Sequence, residues 1–178
     1  MLVLVGPSAS GKTEAVKLLI SEYGMKKLVT YTSRPMRIHE VKGVDYHFIS
    51  KEEFEEKIKE NFFLEYVEYN QNYYGTAYED LADNKVVILE PSGVKKYLQK
   101  VPDKVKVCYL RTPIEYRIKR MIERGDLKDQ IKLRIDNDDL IFNKELESIA
   151  DWVIDSNDIT IQDMTKKIYE LYEPYLWK

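Results

Sequence analysis

A chain of 178 residues suits one compact domain that buries roughly two thirds of its unfolded surface, and leaves little room for a second. With 44% hydrophobic and 33% charged residues, and only seven Gly and six Pro, the composition excludes a disordered or fibrous chain. The net charge of −3 argues against a dominant basic footprint for nucleic acid, while still allowing arginines to gather locally around small phosphates.

The only cysteine, Cys108, lies in an apolar run and rules out a disulfide within the chain; it is expected as a small buried side chain. Apolar stretches span only a handful of residues, too few for a transmembrane helix. The first Lys or Arg is Lys12, so a signal-peptide n-region is not expected. A cytoplasmic enzyme, with no membrane partner, is the expectation.

Residues 2–5 form a short apolar run ending at a glycine, as a buried parallel strand does, and residues 14–22 carry apolar side chains at helical spacing. Between them Gly6, Pro7, Ser8, Ala9, Ser10, Gly11, Lys12 and Thr13 satisfy G-x-x-x-x-G-K-[ST], in the strand–loop–helix context that the motif requires. Backbone N–H groups of such a loop point at phosphate oxygens, and the following helix adds its positive N-terminal end. Lys12 would reach the β and γ phosphates of ATP, and the Thr13 hydroxyl could ligate Mg²⁺. Ala9 suits the loop only if its position does not require a positive φ.

Strand-like pieces follow at 28–32 and 46–49, separated by a polar loop with Arg34, Pro35, Arg37 and Glu40. Ser50 and Glu53 make a capping box for a helix over 51–61, with Phe54 and Ile58 on one face, and residues 63–69 read as extended. Residues 86–89 are a second buried strand ending in Glu90 and Pro91, before a helix over 93–99. Residues 105–110 are a third. Thr112, Pro113 and Glu115 combine an N-cap, Pro at the first helical position and a capping box, for a helix that stops at Gly125. A polar helix within 129–147, a strand at 152–154 and a closing amphipathic helix with Ile161, Met164, Ile168 and Leu171 complete the chain. Strands alternating with helices imply an α/β fold, a parallel sheet flanked by helices. His39 and His47 have no metal-ligand spacing and are expected as surface or packing residues.

A triphosphate loop by itself fits a GTPase, a motor or a small-molecule kinase. The segment from Thr30 to Thr76 narrows the choice: Thr30-Tyr31-Thr32-Ser33-Arg34, then Arg37, then Asp45-Tyr46, then Glu65, and finally Tyr73-Tyr74-Gly75-Thr76. The chain resembles the guanylate kinase family over essentially its whole length. That resemblance implies a P-loop core of about residues 1–30, 77–124 and 144–178, an inserted acceptor region at about 31–76 and a helical lid at about 125–143. It implies that Arg34, Arg37, Tyr46 and Tyr74 hold the GMP phosphate, with Thr30 where the family has a phosphate-contacting Ser. The family's base-reading glutamate, its hydroxyl residue and its strand-end acid fall on Glu65, Thr76 and Glu90.

The chemistry of guanine agrees. Its N1–H and exocyclic amine are adjacent donors that one carboxylate can accept together, which adenine cannot offer. A site built on such polar groups rejects the wrong base by as much as about 10⁴-fold. Arg117, Arg120 and Arg124 recur at three and four residues and are expected to share a face opposite Ile114, Ile118 and Met121. The family's R-x-x-x-R-G motif and lid arginine fall on Arg120, Arg124 with Gly125, and Arg134, which with Lys12 and Arg34 form the implied catalytic set.

Three positions depart from the family pattern: Ile88 replaces the first acid of D-x-D, His39 replaces the glycine of R-x-G-E, and Ser156 replaces the asparagine near the adenine. The implied reaction is ATP + GMP = ADP + GDP, with Mg²⁺ as cofactor and dGMP a second acceptor to test. A kinase of another nucleoside monophosphate or a phosphorylated sugar is the alternative, as is a catalytically weak guanylate-kinase-like binding domain. Scaffolds of the last kind typically lose the phosphate loop, which is intact here.

Overall fold

The structure is a computed structural model that describes residues 1–176 apart from Arg37, His39, Asn70 and Asn143. The first half of the chain runs β1 (Leu2–Val5), α1 (Lys12–Ser21), β2 (Lys26–Lys27), β3 (Thr30–Thr32), β4 (Tyr46–Phe48), α2 (Lys51–Lys59), β5 (Phe63–Tyr69) and β6 (Asn72–Ala77). The second half adds β7 (Lys85–Ile88), α3 (Pro91–Lys100), β8 (Lys106–Arg111), α4 (Ile114–Glu123), α5 (Lys128–Ile141), α6 (Lys144–Ile149), β9 (Trp152–Asp155) and α7 (Ile161–Tyr172).

Five strands make a wholly parallel sheet in the order β2-β7-β1-β8-β9. Because side chains alternate across a strand, β1 feeds two cores at once. Leu2 and Leu4 pack with Ala15 and Leu19 of α1 and Met164 and Ile168 of α7, whereas Val3 and Val5 pack with Val94 and Tyr97 of α3. A strand buried on both faces carries an unbroken apolar run, and all four residues of β1 are buried. Cys108 is buried in the first core, where the apolar surroundings push its thiol up to about 12.

A smaller mixed sheet, in the order β4-β3-β6-β5, carries the segment between β2 and β7. The single strand expected at 28–32 is therefore two pieces. Leu28 still donates to the Val86 carbonyl of the parallel sheet, at 2.9 Å, and is buried, whereas Thr30–Thr32 pairs within the small sheet. Between them the chain leaves the parallel sheet for the small one, which stays tied to the core through Leu64 of β5. α2 covers the small sheet through Phe54, fully buried and stacked on Phe63 at 4.2 Å and Tyr73 at 5.2 Å. Its expected cap forms: the Ser50 hydroxyl accepts from the Glu53 N–H at 3.0 Å. His47 packs beside Tyr31, ring centroids 4.6 Å apart, and His39 lies outside the described residues.

Two local expectations fail for identifiable reasons. Thr112 does not cap α4, which begins at Ile114 with Pro113 in an extended conformation. Its hydroxyl is buried and pairs instead with that of Ser156, 2.5 Å away. The helix expected within 129–147 is two helices, because Phe142 leaves helical geometry to pack its ring against the second core beside Tyr109.

Replacing Phe54 with alanine removes the centre of the aromatic stack and is expected to destabilise the protein by about 3 to 5 kcal/mol. Thermal or urea denaturation checks this, and a change under about 1 kcal/mol would show that the ring stack does not support the small sheet.

Candidate active site

The loop of residues 6–13 leaves β1 at the carboxyl edge of the parallel sheet. β1 lies between β7 and β8, with α1 on one face and α3 on the other, which makes it the switch point where open α/β sheets bind ligands. Gly6 is required by close approach, since a Cβ there would sit 2.6 Å from the Leu110 carbonyl oxygen. Ala9 does adopt a positive φ, 61°, the condition under which the sequence reading found alanine unsuited. A non-glycine residue held there costs roughly 1 to 2 kcal/mol, so surrounding contacts must over-determine it. Its methyl packs against Met121, Ile131 and Ile135.

Lys12 begins α1 and folds back over the loop, donating to the carbonyls of Gly6 at 2.5 Å and Pro7 at 2.8 Å and to the Ser10 hydroxyl at 3.2 Å. Burial lowers its pKa to about 8, opposed by the charge of Asp138 and aided by that of Arg117. A cavity of about 220 Å³ above the loop is lined by Ala9, Ser10, Lys12, Thr13, Arg120 and Arg124, among others. Thr13 is exposed in the first turn of α1.

The three arginines of α4 do not share one solvated face. Arg117 and Met121, four residues apart, are both buried, whereas Ile114 and Ile122 face solvent. The helix is turned this way because Arg117 has polar partners inside: its Nε donates to the Ser8 carbonyl at 3.1 Å and its Nη2 to Asp138 of α5. Arg120 donates to the Ala9 carbonyl at 3.1 Å and to the carbonyl of Ser156. Arg124 lines the cavity while its Nε pairs with Asp126 at 2.9 Å. Arg134 is exposed on α5 and does not line this cavity.

The acceptor residues gather in two groups. The Arg34 guanidinium lies over the rings of Tyr46 at 5.6 Å and Phe48 at 5.7 Å, and Tyr74 packs edge-on to Tyr46 at 6.0 Å. Glu40 holds the guanidinium in a fork, with contacts of 3.0 and 2.6 Å. Arg37 lies outside the described residues. In the second group Glu65 and Thr76 face each other across β5 and β6, and the Thr76 hydroxyl donates to Glu65 Oε1 at 3.2 Å. Residues directly opposite in an antiparallel pair share a face, which is how side chains eleven residues apart meet. Burial raises the Glu65 carboxyl above its ordinary value, with Thr76, Lys96 and Lys100 pulling the other way. Thr30 is half-buried in β3, and Glu90 is exposed at the start of α3, beyond the strand end where Ile88 stands opposite Leu4.

Comparison with known proteins places this arrangement. The family model described as guanylate kinase matches residues 1–174. The chain belongs to the guanylate kinase family. A guanylate kinase of Wolinella succinogenes is 39% identical over 144 residues, 76% of this chain and 67% of that protein. One from Clostridioides difficile is 36% identical over 169 residues, 84% of this chain and 82% of that protein. The crystal structure of guanylate kinase from Anaplasma phagocytophilum has the same fold, with a TM-score of 0.62 at 21% identity over 100% of this chain and 86% of that one. A shikimate kinase from Acinetobacter baumannii has a TM-score of 0.53 at 16% identity, over 99% of this chain and 94% of that one, and shows a likeness of fold alone.

Sequence reasoning missed Asp138. It sits on the buried stripe of α5 with Ile131 and Ile135, and only that helical spacing separates it in the sequence from the exposed acids Asp136 and Asp139.

Bound phosphates raise the pKa of Lys12, so binding takes up a proton wherever the pH exceeds its free value. Affinity for ATP is accordingly full below pH about 8 and declines above it, by up to about tenfold per pH unit. Calorimetric titrations at several pH values check this, and a constant affinity across pH 8 would show that Lys12 is not buried against the loop in the free protein.

Proposed function

We infer that this chain is a guanylate kinase, which transfers the γ-phosphoryl group of ATP to GMP and releases ADP and GDP. Besides family membership, the observation that carries the reading is the Glu65–Thr76 pair, a half-buried carboxylate and a fully buried hydroxyl joined at 3.2 Å. A phosphorylated sugar would meet that pair only through its hydroxyls, whereas guanine offers two adjacent N–H donors, fixed in one plane, to the carboxylate.

In this reading the loop of residues 6–13 holds the ATP phosphates through its N–H groups, and Lys12 exchanges its loop carbonyls for phosphate oxygens. Residues 31–76 form the acceptor region. Arg34 and Arg37, with Thr30, Tyr46 and Tyr74, hold the GMP phosphate, and Glu65, Thr76 and Glu90 address its nucleoside end. The geometry of Arg34 supports its part, because Glu40 and the two flanking rings fix the guanidinium plane. A planar fork matches a phosphate dianion with parallel charge-assisted bonds.

An oxygen of the GMP phosphate attacks the γ-phosphorus as the bond to the ADP oxygen breaks, with no covalent intermediate on the protein. Arg120 and Arg124, at the cavity above the loop, neutralise the developing charge. Arg134 joins them by closure of a lid at about 125–143, which also excludes water. Among the described residues no cluster of three or more His, Cys, Asp or Glu is present to hold a metal. Mg²⁺ therefore enters the proposal through phosphate oxygens and the Thr13 hydroxyl, and supplies charge neutralisation when bound. The described helices are none of them long and apolar enough to cross a membrane. A cytoplasmic setting completes the proposal, since both substrates are multiply charged nucleotides.

ADP release from ATP and Mg²⁺ with a panel of nucleoside monophosphates tests the assignment: GMP is expected as the best acceptor, and preference for AMP, CMP or UMP contradicts it. Arg34→Ala is expected to lower turnover by about 10³-fold or more while ATP binding persists. Because the Glu65 carboxyl is raised, its anionic form is lost as the pH falls through a value above the ordinary carboxylate range. The KM for GMP should rise on acidification by more than protonation of the nucleotide phosphate accounts for, and Glu65→Gln should remove that excess together with the preference for guanine.

A further inference from the structure

The phosphate loop is held from outside by a pair of buried charges contributed by two helices. Asp138 of α5 is 6% exposed and Arg117 of α4 is 5% exposed. Charged side chains are seldom buried unless paired, and such a pair by itself adds little net stability. What distinguishes this one is its attachment to a single loop residue. Asp138 Oδ2 accepts from the Ser8 backbone N–H at 2.8 Å and from Arg117 Nη2, while Arg117 Nε donates to the Ser8 carbonyl at 3.1 Å. Ser8, Arg117 and Asp138 thus form a closed ring of hydrogen bonds that satisfies both polar groups of the Ser8 main chain.

The ring stands next to the strained point of the loop. Ala9 follows Ser8 with φ 61°, and its carbonyl is held by Arg120. Strain of this kind persists only where the surroundings fix the residue on both sides. Asp138 occupies the position where the apolar stripe of α5, Ile131 and Ile135, would otherwise continue. The two members of the pair act on Lys12 with opposite sign, Asp138 raising its pKa and Arg117 lowering it. Their direct hold on the loop is geometric, through the hydrogen bonds to the Ser8 main chain.

We propose that Asp138 and Arg117 are positioning residues that hold Ser8 and Ala9 so that the following N–H groups converge on the donor phosphates. The pair sets the affinity for a nucleoside triphosphate and leaves the acceptor side untouched. It also ties α5 to the loop, so that displacing this helix weakens the donor site. The inference rests on the donor reading of the loop, which ATP binding to the unaltered protein tests separately.

Asp138→Asn keeps the shape of the side chain and removes its charge. Calorimetry with ATP and with GMP is expected to show ATP binding weakened by about tenfold, the loss of one charge-assisted hydrogen bond, with GMP binding unchanged. Charge alone predicts the reverse sign, because removing a carboxylate near the loop favours an anion. ATP binding equal to or tighter than that of the unaltered protein, or an equal loss for both nucleotides, overturns the proposal. Should Arg117 without its partner prevent folding, Arg117→Met with Asp138→Leu removes both buried charges together. That double variant is also expected to lose ATP affinity and keep GMP affinity, and native ATP affinity in it overturns the proposal.

Discussion

Two nucleotides that must exchange a phosphoryl group bring like charges together, and the protein has to oppose that repulsion before any chemistry can occur. The loop after β1 answers the donor half of this constraint. It stands at the switch point of a parallel sheet, where Gly6 lies against the Leu110 carbonyl and the N-terminus of α1 faces outward. Most of the nearby architecture serves that placement. β1 is buried on both faces, α1 and α7 close one side and α3 the other, and α4 delivers Arg120 and Arg124 to the cavity above the loop.

The acceptor half is built on different physics. A small mixed sheet, fastened by the Phe54 stack, presents Arg34 between aromatic rings and brings Glu65 opposite Thr76. The pairing is consistent with the substrate that the family relationship implies. In the proposed reaction the loop takes a triphosphate, and the carboxylate joined to a buried hydroxyl selects the base. One departure from the family pattern acquires a local explanation. Ser156, in place of an asparagine, has its hydroxyl 2.5 Å from that of Thr112 and 3.4 Å from Arg120 Nη1, so its side chain braces an arginine at the loop.

Much of this was legible in the sequence because the signals were local. The phosphate loop, the apolar runs of β1 and β8 and the cap at Ser50 each depend on neighbours within a few residues. What escaped depended on distant partners. Thr112 reads as a cap until Ser156, 44 residues away, takes its hydroxyl. Arg117 reads as part of a solvated stripe until Asp138 and the Ser8 carbonyl draw it inside. Residues 129–147 read as one helix because the core contact that breaks it belongs to Phe142 and Tyr109. Ala9 shows a subtler failure: its left-handed conformation is imposed by contacts from α4 and α5 that no pattern around residue 9 announces.

In the proposed reaction the loop and the acceptor residues are the two sides of one site. A bisubstrate analogue, adenosine and guanosine joined through five phosphates, tests this directly by titration calorimetry against ATP and GMP separately. The account predicts one molecule bound per chain, more tightly than either nucleotide, with the excess affinity lost in Glu65→Gln. Binding no tighter than that of ATP alone, and unaffected by Glu65→Gln, would contradict it.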